Sequence, residues 1–211
     1  MNSTCYACLI ADADTKDHIP PQSFFPTPRP NNLITVPCCE KCNNGNSQED
    51  DYVRFILTSL LDRSPAGEKI WEEKIVRGYM PRNPREIDNI LPSLADVSLK
   101  RGGQIIEAVA FKIEHARLSQ YFIRMTKGLL RHHYPSYNYQ LSVFQVRFIL
   151  PGDSNLSALD EIRDQLKYSR LGEGVFQYRH GLSTSGLSGV WMLVFFEAIL
   201  VLVHHTNDER S

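Results

Sequence analysis

The chain has 211 residues, of which 42% are hydrophobic and 22% are charged, a composition that is ordinary for a soluble globular protein. Its net charge of −1 neither favours nor excludes a polyanionic partner. The longest apolar run, residues 190–203, is shorter than the roughly 18 residues of a membrane span and is interrupted by Glu197. Because the first residues also lack a secretory-signal pattern, we expect an intracellular, cytoplasmic protein without a membrane partner.

Four of the five cysteines form two Cys-x-x-Cys pairs near the start of the chain. The pairs are Cys5 with Cys8 and Cys39 with Cys42, while Cys38 has no sulfur at the matching spacing. In a chain without a secretory signal, this spacing is typical of a tetrahedral, structural zinc site rather than of disulfides. We therefore expect one zinc ion on these four thiolates, with Cys38 free. Buried, reduced cysteines without metal are the alternative.

Between the two cysteine pairs the sequence predicts two short strands joined by a loop. Asp17 and His18 lie in the first strand, and the proline-rich segment that follows favours a stiff, extended loop. Residues 33–36 are rich in β-branched side chains and predict the second strand. Apolar residues at helical spacing from Val53 to Leu61 then predict an amphipathic helix. Residues 1–63 are thus expected to form a small module.

Asp17, His18 and Asn43 are the candidate catalytic residues of this module. The carboxylate of Asp17 and the amide oxygen of Asn43 are hard oxygen ligands that suit Mg²⁺. His18 has an ordinary pKa near 6.5 and is able to accept a proton from water. Hydrolysis of a phosphodiester needs both a Lewis acid and such a base. Taken alone, a histidine in the tetrapeptide Asp-His-Ile-Pro is more often a surface residue, but its place between the two cysteine pairs favours the catalytic role.

The full pattern resembles that of HNH endonucleases, the zinc-containing branch of the ββα-metal nucleases. It consists of Cys-x-x-Cys, Asp-His-Ile-Pro-Pro, Asn-Leu before a strand, and Cys-x-x-Cys-Asn. The resemblance implies a ββα-metal module that hydrolyses DNA, with His18 as the general base. It also implies that Asp17 and Asn43 hold one catalytic Mg²⁺ or Mn²⁺, and that Asn32 braces the loop and orients the histidine.

Residues 64–211 predict an α+β domain in which an antiparallel sheet packs on one long helix. Residues 64–93 are expected to be a proline-rich connector with a short helix at 68–77, and a β-hairpin is expected over 96–110 around a Gly-Gly pair. The long helix is predicted over 113–133 and another helix over 156–168. Strands are predicted at 140–149, 175–179, 190–196 and 199–205. We expect His205 to lie at the solvent-facing end of the last strand.

The long helix carries the candidate nucleic-acid-binding residues. Residues 100–134 contain seven basic and two acidic residues, whereas residues 1–50 contain three basic and six acidic ones. Arg117, Arg124 and Arg131 recur every seven residues and therefore share one helix face. Together with Lys127 they predict a phosphate-binding surface, for which a solvated helix face is the alternative.

Two other functions fit the same residues. One is a zinc-stabilised module that binds nucleic acid or protein without catalysis, and the other is an RNA-cleaving effector with the same site. A protein partner or a second copy of the chain, bound through the C-terminal domain, is a further expectation.

Overall fold

The computed structural model describes residues 3–101, 103–149 and 156–207. Near the N-terminus, strands β1 (Thr15–Ile19) and β2 (Ile34–Cys38) pair antiparallel. The loop between them contains a 3-10 turn at Gln22–Phe24. Two helices follow directly, α1 (Glu40–Gly45) and α2 (Ser47–Thr58). The expected order of strand, loop, strand and helix is confirmed.

The connector is more helical than its prolines predicted. Helix α3 (Pro65–Ile70) continues through a π-helical stretch (Trp71–Tyr79) into α4 (Met80–Arg82). Helix α5 (Pro84–Ile90) and a 3-10 turn (Leu91–Ser93) complete it. Pro65 and Pro84 occupy the first positions of α3 and α5, where the missing N–H has no helical partner to lose. They therefore mark helix starts rather than irregular chain.

A β-hairpin and the long helix follow the connector. Strands β3 (Ala95–Arg101) and β4 (Gln104–Ala110) form a separate two-stranded sheet, as predicted. Helix α6 spans His115–His133 and approaches β1 closely. A Cβ atom at Gly128 of α6 would lie 2.7 Å from Cδ1 of Ile19, so a larger residue here would force the Ile19 side chain to shift. Helix α6 thus covers one face of the β1–β2 pair.

The largest sheet has five antiparallel strands in the order β5-β9-β8-β7-β6. Its strands are β5 (Ser142–Ile149), β6 (Lys167–Leu171), β7 (Phe176–Leu182), β8 (Ser188–Phe195) and β9 (Ile199–Asn207). Helix α7 (Leu156–Arg163) is shorter than the predicted 156–168. That prediction was wrong at its end, because residues 167–171 pair with β7 and this pairing overrides local helix propensity.

The buried core joins the N-terminal and C-terminal segments. Phe24, from the loop after β1, stacks on Tyr121 of α6 with ring centroids 6.2 Å apart and contacts Phe195 of β8 at 6.0 Å. The α+β class with antiparallel sheets is confirmed, whereas the division at residue 63 stays a prediction. His205 is fully buried instead of solvent-facing, because its ring packs between Tyr137 and Phe144. Within the described ranges, no helix is both long and apolar enough to cross a membrane.

Candidate metal centre and its surroundings

The four paired cysteines converge on one point. The Sγ atoms of Cys5, Cys8, Cys39 and Cys42 all lie within 4.8 Å of one another. Four sulfurs around a tetrahedral zinc, each about 2.3 Å from the metal, would be separated by about 3.8 Å, so the cluster fits a metal ion. Cys38 is buried beside this group, with its Sγ 3.8 Å from that of Cys5, but it is not a member.

Local backbone structure brings the two pairs together. The first pair lies in a tight turn, in which the N–H of Cys5 donates to Ala11 O at 2.9 Å and the N–H of Leu9 donates to Cys5 O at 3.0 Å. Cys39 is the residue that precedes α1, so the second pair spans the first turn of that helix. The N–H of Tyr6 donates to Pro37 O at 3.0 Å and ties the two turns to each other.

The electrostatics of the cluster favour a thiolate at Cys5. Burial alone would raise the pKa of Cys5, but backbone N–H groups of Cys8, Cys39 and Ala7 lower it to about 6. Burial and neighbouring thiols instead raise the pKa of Cys42 to about 12. Cys42 therefore holds its proton in the absence of a cation, and a bound metal would displace it.

Asp17 and His18 lie on opposite faces of β1, as the alternation of a strand predicts. The carboxylate of Asp17 is 8% exposed and accepts a hydrogen bond of 2.6 Å from the hydroxyl of Tyr6, which is fully buried. Burial and the adjacent Asp17 carboxylate hold the pKa of Tyr6 well above its ordinary value, so the hydroxyl remains a donor. Asp17 therefore faces the interior, beneath α6.

The imidazole of His18 is partly exposed and is oriented by Gln22. Nε2 of His18 lies 2.7 Å from Nε2 of Gln22, and Arg29 donates to Oε1 of Gln22 at 3.2 Å. Since Arg29 occupies the amide oxygen, the amide nitrogen faces the ring, which places the imidazole proton on Nδ1. Burial lowers the pKa of His18 below its ordinary value. Asn32 lies in an exposed turn, and the orienting contact comes from Gln22.

Asn43 is attached to the strand that carries Asp17 and His18. Its Nδ2 donates to Oγ1 of Thr15 at 3.2 Å and to the carbonyl of Lys16 at 3.3 Å. The side chains of Thr15 and Asp17 share one face of β1, because residues two apart in a strand point the same way. These bonds use the amide nitrogen of Asn43, so Oδ1 is the atom it offers to a cation.

Arg117 and Arg124 of α6 are engaged in internal ion pairs. Arg124 pairs with Asp50 of α2, and each side chain is only 16% exposed. Arg117 contacts Glu49 at 2.7 Å and Glu86 at 2.6 Å, and its guanidinium lies 3.7 Å from the ring centroid of Tyr52. These two residues hold α6 against α2 and α5, and their contact with phosphate stays a prediction.

The remaining basic residues of α6 are less constrained. Nζ of Lys127 lies 5.7 Å from the ring centroid of Phe144, and burial lowers the pKa of this lysine. Arg131 donates to the carbonyl of Pro135 at 3.4 Å. An open groove of about 550 Å³ separates α6 from α1 and the cysteine turns, with Lys41, Arg124 and Lys127 among its lining residues. Nucleic-acid binding on this side of α6 stays a prediction.

No family model, no curated protein and no solved structure matches this chain. The resemblance to a nuclease family therefore depends on the motif residues alone, and what the structure adds is a four-cysteine cluster that could hold a metal ion.

Proposed function

We propose that the protein is a metal-dependent endonuclease of the HNH type, which hydrolyses DNA phosphodiester bonds and holds a structural zinc on its four clustered cysteines. One observation carries the proposal. Asn43, which follows the second cysteine pair, is hydrogen-bonded to β1 directly beside Asp17 and His18, although 26 residues separate Asn43 from Asp17 in the sequence. The cysteine cluster thus joins three residues whose chemistry suits phosphodiester hydrolysis.

The edge of β1 is where these residues would meet a phosphate. Strand β1 pairs with β2 on one side, and the carbonyl of Lys16 accepts from Asn43 at the other edge. A phosphate at this edge would meet His18 on one face of the strand and Asn43 on the other, where Asp17 is buried against Tyr6. A bound Mg²⁺ or Mn²⁺ would supply Lewis-acid stabilisation of the charge that develops on the phosphate.

The chain's own residues divide the remaining work. Asp17 and the Oδ1 atom of Asn43 would hold the divalent cation, and Thr15 positions Asn43. Nε2 of His18 carries the lone pair and accepts the proton of the attacking water, after that water displaces Gln22 from the nitrogen. Gln22 keeps the imidazole in the tautomer that leaves this atom free of a proton.

A non-catalytic binding module is the second candidate, and the hydrogen bond from Tyr6 to Asp17 favours it. That bond satisfies the carboxylate within the protein, so a cation would have to compete with the hydroxyl of Tyr6. In this candidate the cysteine cluster still stabilises the fold, and the groove beside α6 binds the partner.

Cleavage assays separate the candidates. Plasmid DNA and a structured RNA are incubated with the protein in Mg²⁺, in Mn²⁺ and in chelator. The proposal expects nicked or linear plasmid with either metal and none with chelator. If the protein cleaves only RNA, the catalytic residues are as proposed but the substrate is RNA. If it cleaves neither nucleic acid, the non-catalytic binding module is the better candidate.

A further inference from the structure

The β3–β4 hairpin is not part of the five-stranded sheet. It is a two-stranded sheet, and its apolar side chains are open to solvent: Leu99 is 42%, Val109 59% and Ile105 72% exposed. A two-stranded hairpin is marginally stable in water and gains stability from further strands or from packing. Leu99 lies on one face of the hairpin, whereas Ile105 and Val109 lie on the other, so a further strand at the hairpin edge would extend both faces.

The outer edge of β3 offers a defined set of backbone groups. Two residues separate Arg101 from Gln104, and in such a hairpin the pair that flanks the turn is hydrogen-bonded. Hydrogen-bonded pairs then alternate with non-hydrogen-bonded ones along the ladder. The N–H and C=O groups of Asp96, Ser98 and Lys100 therefore point away from β4, towards an edge that no described strand occupies.

The sequence of β3 favours antiparallel pairing with β3 of a second copy of the chain. When β3 pairs antiparallel with a second β3 about a two-fold axis at Ser98, Asp96 lies opposite Lys100 and Val97 lies opposite Leu99. Opposite charges and apolar pairs at directly facing positions stabilise a sheet. Within the hairpin these charges face apolar residues instead, since Asp96 is opposite Val109 and Lys100 is opposite Ile105.

We propose that the protein forms a two-fold symmetric homodimer in which the two β3 strands join their hairpins into one four-stranded antiparallel sheet. Each of the facing pairs Ser98–Ser98, Asp96–Lys100 and Lys100–Asp96 exchanges two backbone hydrogen bonds. Val97 and Leu99 of both copies then extend the apolar face formed by Ile106 and Ala108 of the same hairpin. The interface is isologous, as closed dimers require.

The other edge of the hairpin does not have this complementarity. When β4 pairs with a second β4 so that Ile105 faces Val109, the central position places Glu107 opposite Glu107. Like charges that face each other directly destabilise a sheet. The occupant of the β3 edge is therefore a second copy through β3.

Charge exchange at the facing pair tests the dimer by sedimentation velocity over a concentration series. Asp96→Lys places two lysines opposite each other at both ends of the interface, which weakens self-association by about tenfold. The double variant Asp96→Lys with Lys100→Asp restores the facing opposite charges and the association, because the exchanged pair lies between chains. Glu73→Lys is the matched control, since this exposed residue changes the net charge equally and leaves association unchanged.

Ser98→Pro gives a second test that does not depend on charge. The N–H of Ser98 makes no bond to β4, so proline is compatible with this edge in the single chain but removes two hydrogen bonds at the two-fold axis. A protein that stays monomeric up to about 1 mM, the range of the weakest complexes, overturns the proposal. A dimer that persists in Ser98→Pro, or that the double charge exchange fails to restore, overturns it as well.

Discussion

The hydroxyl of Tyr6 donates a hydrogen bond of 2.6 Å to Oδ2 of Asp17, and both side chains are buried. Tyr6 belongs to the first cysteine turn and Asp17 to β1, so the bond couples the cysteine cluster to the strand that carries the candidate catalytic residues. It also fixes the carboxylate beneath α6. The same contact therefore affects stability and the access of a cation to Asp17.

Tyr6→Phe removes the donor and leaves a buried carboxylate oxygen unsatisfied. We expect the free energy of unfolding to fall by about 1–3 kcal/mol, measured by urea denaturation at pH 7. Tyr139→Phe is the matched control, because its hydroxyl donates at 3.0 Å to an uncharged carbonyl, that of Tyr6. If Tyr6→Phe loses no more free energy of unfolding than Tyr139→Phe, the carboxylate acceptor makes this hydrogen bond no stronger than one to a carbonyl.

The cysteine cluster predicts one zinc ion per chain. Elemental analysis of purified protein is expected to find equimolar zinc, and Cys39→Ser should lose it and unfold the N-terminal module, because binding energy here is folding energy. Cys38→Ser is the control, since Cys38 lies beside the cluster without belonging to it. Zinc that disappears in Cys38→Ser but persists in Cys39→Ser would reverse the assignment.

Arg131 tests nucleic-acid binding by α6 without disturbing the ion pairs of Arg117 and Arg124. Its guanidinium makes one long contact with the carbonyl of Pro135, so Arg131→Ala should leave the fold intact. If Arg131 contacts a phosphate, the slope of log affinity against log salt decreases by about one in titrations with duplex DNA. Arg163→Ala, on α7, serves as the control. If the two variants have equal slopes, Arg131 does not contact a phosphate and is a solvent-exposed side chain.

His205 makes stability depend on pH. Burial lowers its pKa to about 4, and neither ring nitrogen has a hydrogen-bond partner in the described part of the chain. The unfolded chain protonates near pH 6.5 and the folded one only near 4, so protonation favours unfolding as the pH falls through this window. Between pH 6.5 and 5 this histidine should cost about 2 kcal/mol of stability. Urea denaturation of His205→Phe should show a correspondingly weaker decline, and an identical decline would contradict the assignment.

Features set by local spacing were predictable from the sequence. The cysteine pairs, the alternation of Asp17 and His18, and the hairpin of β3 and β4 each depend on residues that are close in the chain. The heptad spacing of Arg117 and Arg124 correctly placed them on one face of α6. The spacing did not predict the carboxylates that pair with these arginines. Glu49 lies 68 residues from Arg117 and Asp50 lies 74 residues from Arg124, and only the packing of α2 on α6 brings them together.

Long-range packing also explains the residues that the sequence did not single out. Tyr6 reads as an ordinary core aromatic until the fold places it against Asp17. Gln22, four residues after His18, lies in a proline-rich loop whose 3-10 turn returns its amide to the imidazole. The first two residues of β6 fall within the helix predicted over 156–168, because only the pairing with β7 distinguishes them from the end of that helix.

The rate of metal-dependent DNA cleavage by His18→Ala tests the central claim most directly. Loss of a positioned base should slow cleavage by at least about a hundredfold, and Asp17→Ala and Asn43→Ala should do the same by removing cation ligands. His115→Ala, an exposed histidine at the start of α6, is the matched control and should cut at the wild-type rate. We expect His18→Ala to cut slowly while it keeps its zinc and its fold; if His18→Ala cuts as fast as the wild type, His18 is not the general base.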